Sequence, residues 1–345
     1  MNLTSLTAEK MMGFLYELPE QFARSLEMTF DFADQYRRPF QNMVISGLGG
    51  SAIGGDIVRT LAAGRADLPI VVNRDYNLPA FVNQNTLFAA VSYSGNTEET
   101  LSAYQQAREK GASIICLTSG GKLAQWAAND GFSVIKVPGD LVPRAATGYL
   151  FTPLALFLEE IGILHDLRPE IEETIEVLSQ QRQVLNPQVG KPDNPARQLA
   201  EHLRGAIPII WGSTGLTEAA ALRWKAQINE NAKSPAYHNL FPELNHNEIV
   251  GFEVPTELLS HLAVVILRDQ GDSPQIQKRM AITRQIIEKQ VQEVLEVSSQ
   301  GQSFLARFYS LVYMGDYTSV YLAHEYGINP TPVQVIDYLK AELAR

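Results

Sequence analysis

Short apolar runs that end in glycine- or serine-rich turns and pass into helical stretches constrain this chain most. Met43-Val44-Ile45-Ser46, Ile70-Val71-Val72, Leu87-Phe88-Ala89-Ala90-Val91, Ser113-Ile114-Ile115-Cys116-Leu117 and Val134-Ile135-Lys136-Val137 read as five buried strands. Helical spacing appears between them, as in Asp56-Ile57-Val58-Arg59-Thr60-Leu61 and in the series Leu101, Tyr104, Ala107. Strands this apolar, alternating with helices, imply an open parallel sheet covered on both faces. A helix from about Leu150 to Ile161 would close that unit.

The plan then starts again. Residues 165 to about 200 are charged and helical, and Pro192 and Pro195 mark a break. Ala206-Ile207-Pro208-Ile209-Ile210-Trp211 runs into Gly212-Ser213-Thr214-Gly215 and a long helix. Leu262-Ala263-Val264-Val265-Ile266-Leu267 ends in Arg268-Asp269-Gln270-Gly271-Asp272-Ser273, and another helix follows. This recurrence reads as a diverged internal duplication. A chain of 345 residues is long enough for two such domains, each with its own core.

The loop Val91-Ser92-Tyr93-Ser94-Gly95-Asn96-Thr97-Glu98-Glu99-Thr100 carries the clearest chemistry. A strand turning into a helix leaves free N–H groups at the positive end of the helix dipole, which suits a phosphate. Ser92, Ser94, Thr97 and Thr100 add hydroxyls, and Gly95 lets the backbone approach a ligand. No Lys or Arg lies in the loop, so neutral donors would hold the anion. The competing reading is plain helix capping, with Asn96 as cap and Glu99 as its partner. In the duplicated loop, Asp269 and Asp272 stand where the first copy has hydroxyls, and they would repel a phosphate. One phosphate site per chain is therefore expected.

Gly47-Leu48-Gly49-Gly50-Ser51-Ala52 follows a strand and opens a helix. It fits a dinucleotide fingerprint, with Asp75 at the end of the next strand, so a nicotinamide-dependent dehydrogenase competes here. Against that reading, Ser51 is placed to donate to a sugar or phosphate, and Gly54-Gly55 would weaken a dinucleotide-binding helix. A dinucleotide also does not require the Ser92 to Thr97 loop.

The pattern Ser-x-Ser-Gly-x-Thr-x-Glu resembles the sugar isomerase (SIS) domain family, whose members bind phosphosugars at this loop. Three further blocks narrow the likeness. They are Gly47 to Ala52, Pro143-Arg144, and Trp224-Lys225-Ala226-Gln227-Ile228-Asn229-Glu230-Asn231-Ala232-Lys233 followed by Asn245-His246-Asn247-Glu248. Together they resemble the bifunctional phosphoglucose/phosphomannose isomerases of archaea and bacteria. The resemblance implies an α/β chain of two flavodoxin-like SIS domains, each a parallel five-stranded sheet flanked by helices, joined by a helical linker. It suggests a helical extension over 1–35, a phosphate-binding domain over 36–162, a linker over 163–200 and a catalytic domain over 201–345.

Moving a proton between C1 and C2 of a hexose phosphate needs a base, a group that opens the ring, and a cation near the enediolate. By resemblance, Glu230 is the proton shuttle, His246 opens the ring, Arg144 faces the enediolate, and Lys340 lies near the ring oxygen. Gly50, Ser51, Ser92, Ser94 and Thr97 would hold phosphate and sugar. Thr331, in Asn329-Pro330-Thr331-Pro332, would leave room for both C2 epimers. The likeness further implies a homodimer in which His246 reaches the neighbouring subunit's site, and a reaction with no cofactor. A phosphosugar-binding regulator remains an alternative, although it would not need Glu230, His246 and Arg144 together.

Bulk properties limit partners. A net charge of −10 argues against nucleic acid, which binds basic surface. The single Cys116 rules out an intramolecular disulfide framework, and it also removes the nucleophile that a glutamine-using amidotransferase would need near its N-terminus. No His-x-His, His-Glu-x-x-His or cysteine pair is present, which excludes a zinc-type mannose phosphate isomerase on ligand grounds. Without a signal-like N-terminus or a membrane-length apolar run, a cytoplasmic enzyme is expected.

Overall fold

The computed structural model describes residues 6–343. They form two compact units. One comprises Glu17–Glu176 and Gln302–Ala306; the other comprises the described residues up to Tyr16, Val177–Gly301 and the chain from Arg307 onward. The helix Leu167–Leu185 thus gives residues to both.

The first unit holds β1 (Asn42–Ser46), β2 (Ile70–Asn73), β3 (Thr86–Val91), β4 (Ser113–Thr118) and β5 (Ser133–Lys136) in one sheet, ordered β2-β1-β3-β4-β5. All its pairings are parallel, with Ile45 opposite Val72 on one side and Ala89 on the other. Every residue of β1 and β3 is buried, which accounts for their unbroken apolar runs. Helices Gly50–Ala62, Glu98–Glu109, Gly121–Asp130 and Thr147–Glu160 complete the unit. The helix Leu18–Leu26 is fastened to the last of these through buried Gln21, which donates to the Ala145 carbonyl (2.8 Å) and accepts from the Gly148 N–H (3.1 Å).

Glycines set the closest packing. A Cβ on Gly54 would stand 2.5 Å from the Leu150 carbonyl oxygen, and one on Gly55 would stand 2.9 Å from Ile45 Cγ2. The glycine pair therefore serves helix–helix and helix–strand contact. Strand order reverses between β1 and β3, so the loops leaving their C-terminal ends diverge and open a crevice, the usual ligand position in such sheets.

The second unit repeats the plan with β6 (Ile207–Ser213), β7 (Tyr237–Phe241), β8 (Leu262–Arg268) and β9 (Glu293–Ser298), ordered β7-β6-β8-β9 and wholly parallel. This corrects the expectation of five strands. Among the described residues the second sheet has four, because after β9 the chain enters the 22-residue helix Phe304–Glu325 instead of a fifth apolar run. The C-terminal helix Gln334–Leu343 buries none of its residues. Among the described residues, no helix is long and apolar enough to cross a membrane.

Candidate active site

In the first unit the predicted phosphate residues come together at the β1/β3 crevice. Gly47 and Gly50 permit the approach. A Cβ on Gly47 would lie 2.8 Å from the Val91 carbonyl oxygen, and one on Gly50 would lie 2.8 Å from that of Pro143. The glycine loop is thereby pressed against both the β3 loop and the Pro143–Ala145 turn that carries Arg144, itself 5% exposed. Buried Ser51 accepts a hydrogen bond from the Tyr93 N–H (3.3 Å), tying the two loops across the crevice.

Ser92 and Thr97 share a hydroxyl–hydroxyl hydrogen bond of 2.9 Å, and Ser92 Oγ also accepts from the Thr97 N–H (3.5 Å). Ser94 is exposed, and its Oγ accepts from the Asn96 N–H (3.3 Å). Thr97 occupies the cap position of helix Glu98–Glu109 without a side-chain cap bond. Asn96 turns elsewhere, accepting from the Lys122 N–H (3.1 Å) and donating to the Ser94 carbonyl. The capping reading with Asn96 is therefore not realised. Glu98, Glu99 and Thr100 begin the helix, where N–H groups have no intrahelical acceptor. Thr100 is fully buried, and its hydroxyl has no hydrogen-bond partner in the structure.

A third loop, which the sequence reading missed, completes this rim. Ser119 donates from both its N–H (3.0 Å) and Oγ (2.6 Å) to the Tyr93 carbonyl, and the Leu123 N–H reaches the Gly95 carbonyl (2.9 Å). Gly95 has φ +67, and a Cβ there would stand 1.8 Å from the Gly120 oxygen. The signal was present in Thr118-Ser119-Gly120-Gly121, which leaves β4 as Ser92 leaves β3. Asp75, the acid of the dinucleotide reading, accepts from the Asn77 N–H (2.9 Å) in its own turn.

The second unit carries Glu230, His246, Lys340 and Thr331. Helix Glu218–Gln227 passes into a π turn, Ile228–Ala232, which presents half-buried Glu230. Buried side chains fix the turn from behind. Arg223 pairs with Asp316 through two hydrogen bonds (3.0 and 2.7 Å), Gln227 donates to the same carboxylate (2.8 Å), and Asn231 donates to Ser319 Oγ (2.9 Å). Burial pushes the Asp316 carboxyl above its ordinary value, against the opposing pull of Arg223. Trp224 donates to the Leu311 carbonyl (2.8 Å), and its indole fills the space a Cβ on Gly315 would take.

Lys233 follows in the left-handed region (φ +54), and its ammonium donates to the Glu230 carbonyl and to that of Pro330 (3.1 Å). The neighbouring Thr331 N–H is held by Asn329 Oδ1 (2.9 Å). Glu230 and Pro330, the residue before Thr331, are thus connected through one lysine.

His246 is exposed at the end of the short helical turn Glu243–His246. The turn itself is well fixed. Asn245 donates to Thr283 Oγ1 (2.8 Å), Asn247 donates to Glu243 (2.8 Å), and Glu248 accepts from the Trp211 indole (2.8 Å) and from Asn239. Among the described residues, no hydrogen bond joins His246 to Glu230. Lys340 lies exposed on the C-terminal helix and makes no hydrogen bond or ion pair among the described residues. The structure therefore ties the Glu230 turn to the Pro330–Thr331 segment, and shows no such bond from His246 or Lys340 among the described residues.

Comparison with known proteins shows the family of the chain. The chain is 48% identical over 331 residues to the bifunctional phosphoglucose/phosphomannose isomerase of Caldicellulosiruptor bescii, covering 96% of this chain and 98% of the relative. This chain belongs to the bifunctional phosphoglucose/phosphomannose isomerase family. The Aquifex aeolicus isomerase of the same name is 35% identical, over 96% of this chain and 98% of its own. Residues 192–343 match the bacterial phospho-glucose isomerase C-terminal SIS domain. A crystal structure of a hypothetical protein from Thermus thermophilus superposes with a TM-score of 0.75 at 16% identity, covering 97% of this chain and 90% of that one, and shares the fold.

Proposed function

We propose that this chain is an aldose–ketose isomerase that interconverts glucose 6-phosphate and mannose 6-phosphate with fructose 6-phosphate through a cis-enediol. The observation that carries the reading is kinship over nearly the whole chain with proteins named for both isomerisations. Three features support the assignment of roles. They are the hydroxyl-lined β3 loop, the buried Arg144, and the half-buried Glu230 on an anchored turn.

In this reading Ser92, Ser94, Thr97, Ser51 and the backbone at Gly50 bind the phosphate and sugar. Their neutral donors add to the helix dipole without a competing cation. His246 carries a proton to or from the ring oxygen to open the hemiacetal, a step suited to an imidazole, which can both give and take a proton. Lys340 assists at that oxygen. The Glu230 carboxylate removes the C2 proton of the open aldose and returns it to C1, and it does the reverse from the ketose. Arg144 offsets the negative charge that develops on the enediolate oxygens. Glucose and mannose phosphates differ only at C2, so one enediol serves both once it is protonated on either face, and the small Thr331 leaves room for that.

A second copy of the chain would supply His246, which its exposed position accommodates. The enzyme is assigned to the cytoplasm and to hexose phosphate metabolism, acting as a homodimer. The decisive assay supplies fructose 6-phosphate with EDTA present and follows both aldose phosphates. Both should form, and Glu230→Gln should lower kcat about 10³-fold. A Glu230→Gln enzyme with near-parental turnover would remove the base from this mechanism. Mixing inactive Glu230→Gln and His246→Ala chains should restore about a quarter of the activity if the histidine acts across subunits.

A further inference from the structure

Lys233 ends the Trp224–Lys233 block and has no task in the mechanism above. It follows the π turn in a left-handed conformation (φ +54) that glycine or asparagine adopts with less strain. A lysine there must be placed for its side chain. That side chain folds back over the turn it terminates. Its ammonium donates to the Glu230 carbonyl, one of the end carbonyls a helical turn leaves unsatisfied, and to the Pro330 carbonyl at 3.1 Å. The second bond spans 97 residues of sequence, from Lys233 to Pro330, and joins segments with different tasks. One presents Glu230, and the other presents Thr331, whose N–H is fixed by Asn329 (2.9 Å). A second clip, from Asn229 Nδ2 to the Ser234 carbonyl (2.9 Å), shapes the turn but does not reach the Pro330 segment.

We infer that Lys233 is a positioning residue that locks the base-bearing turn to the Thr331 loop and so sets which face of the enediol is protonated. The inference rests on Glu230 as base and Thr331 near C2. A carboxylate that shuttles a proton between adjacent carbons must keep a fixed distance to both, and sub-ångström misplacement lowers turnover more than binding. The residue beside C2 decides how freely the enediol can be approached from its second face. A bridge between the two would therefore control both rate and epimer ratio. Lys233 is itself exposed, so its substitution leaves the buried core intact.

The test is Lys233→Met, which keeps the aliphatic stem and removes the donors, with fructose 6-phosphate as substrate and both aldose phosphates followed from initial rates. The expected result is a kcat about 10-fold lower, KM within about twofold, and a mannose-to-glucose product ratio shifted at least about threefold. Lys233→Arg should recover part of the rate and ratio, since a guanidinium can still bridge two carbonyls. Asn329→Ala, which loosens the Thr331 loop from its other side, should shift the ratio in the same direction and covers the case of a poorly folding Lys233→Met. An unchanged ratio in both variants, or a loss of rate tracked entirely by a fall in Tm, would overturn the inference. If Glu230→Gln also stays active, the failure belongs to the assignment of the base, and the two outcomes are separable.

Discussion

The two sheets share a strand order about their central pair yet treat the loops at that pair in opposite ways. After β3, Ser94 stands exposed and the Ser92 and Thr97 hydroxyls are paired, and although Glu98 and Glu99 open the next helix, the side chains that precede it in the loop are neutral. After β8 the chain's own carboxylates take that place. Asp272 accepts from the Asp269 N–H (3.1 Å), and Asp269 accepts from the Gly271 N–H (2.7 Å) and from Arg307 (3.1 Å). The β6 loop is closed in the same manner, with Thr217 Oγ1 accepting from the Ser213 N–H (2.7 Å) and Glu218 from that of Gly215 (3.3 Å). An N–H already committed to a carboxylate has nothing to offer a phosphate, and the carboxylates add repulsion. Duplicated architecture repeats the loop geometry, and the side chains differ: hydroxyls accept the loop N–H groups after β3, carboxylates after β8.

The sharpest test of this contrast substitutes the loop glycines. Gly95→Ala should cost more than about 3 kcal/mol by urea unfolding, from left-handed strain and backbone overlap together. Gly271→Ala meets side-chain atoms first (Asp269 Oδ1 at 2.8 Å) and should cost about 1 kcal/mol. Equal costs would break the comparison. Next in size, Arg307→Met deprives Asp269 of its cation and should destabilise by about 2 kcal/mol. It should leave the phosphosugar affinity of the β3 loop unchanged.

Ser94→Ala reverses that pattern. Binding of fructose 6-phosphate, read by calorimetry, should weaken about 10-fold, with the unfolding midpoint unmoved because Ser94 is exposed. The smallest effect concerns pH. Burial raises the Asp272 carboxyl above its ordinary value, so the folded state holds that proton more tightly than the unfolded chain. Stability tied to this group is then lost as pH rises from the ordinary carboxylate range through the raised folded value. Asp272→Asn should therefore be at least as stable as the parent at pH 7, by about 1 kcal/mol or less, with the difference fading below about pH 4.

Much of this was legible in the chain. Strands β1 and β3 are buried on both faces and show it as continuous apolar runs. β7 and β9 were not foreseen, because Tyr237-His238-Asn239-Leu240-Phe241 and Glu293-Val294-Leu295-Glu296-Val297-Ser298 sit at sheet edges, where burial is partial and polar residues are tolerated. The hydroxyl loop was readable since its residues are neighbours in sequence. The supports of Glu230 were not, because Arg223 meets Asp316 across 93 residues and Asn231 meets Ser319 across 88. No local pattern announces such pairs. The π geometry of the Glu230 turn was equally hidden, since apolar spacing does not distinguish a widened turn from an ordinary one.

That widened turn makes the direction of Glu230 a matter of counting. A π turn accommodates one residue more than the α-helix around it would. Removing a single residue between Ile228 and Ala232 would let the helix close up, and each α-helical step rotates a side chain by about 100°. The carboxylate would then face another quarter of the molecule while composition, charge and core stayed nearly the same. Insertions and deletions, more than substitutions, are thus the changes by which a descendant of this chain could gain or abandon its chemistry in one step.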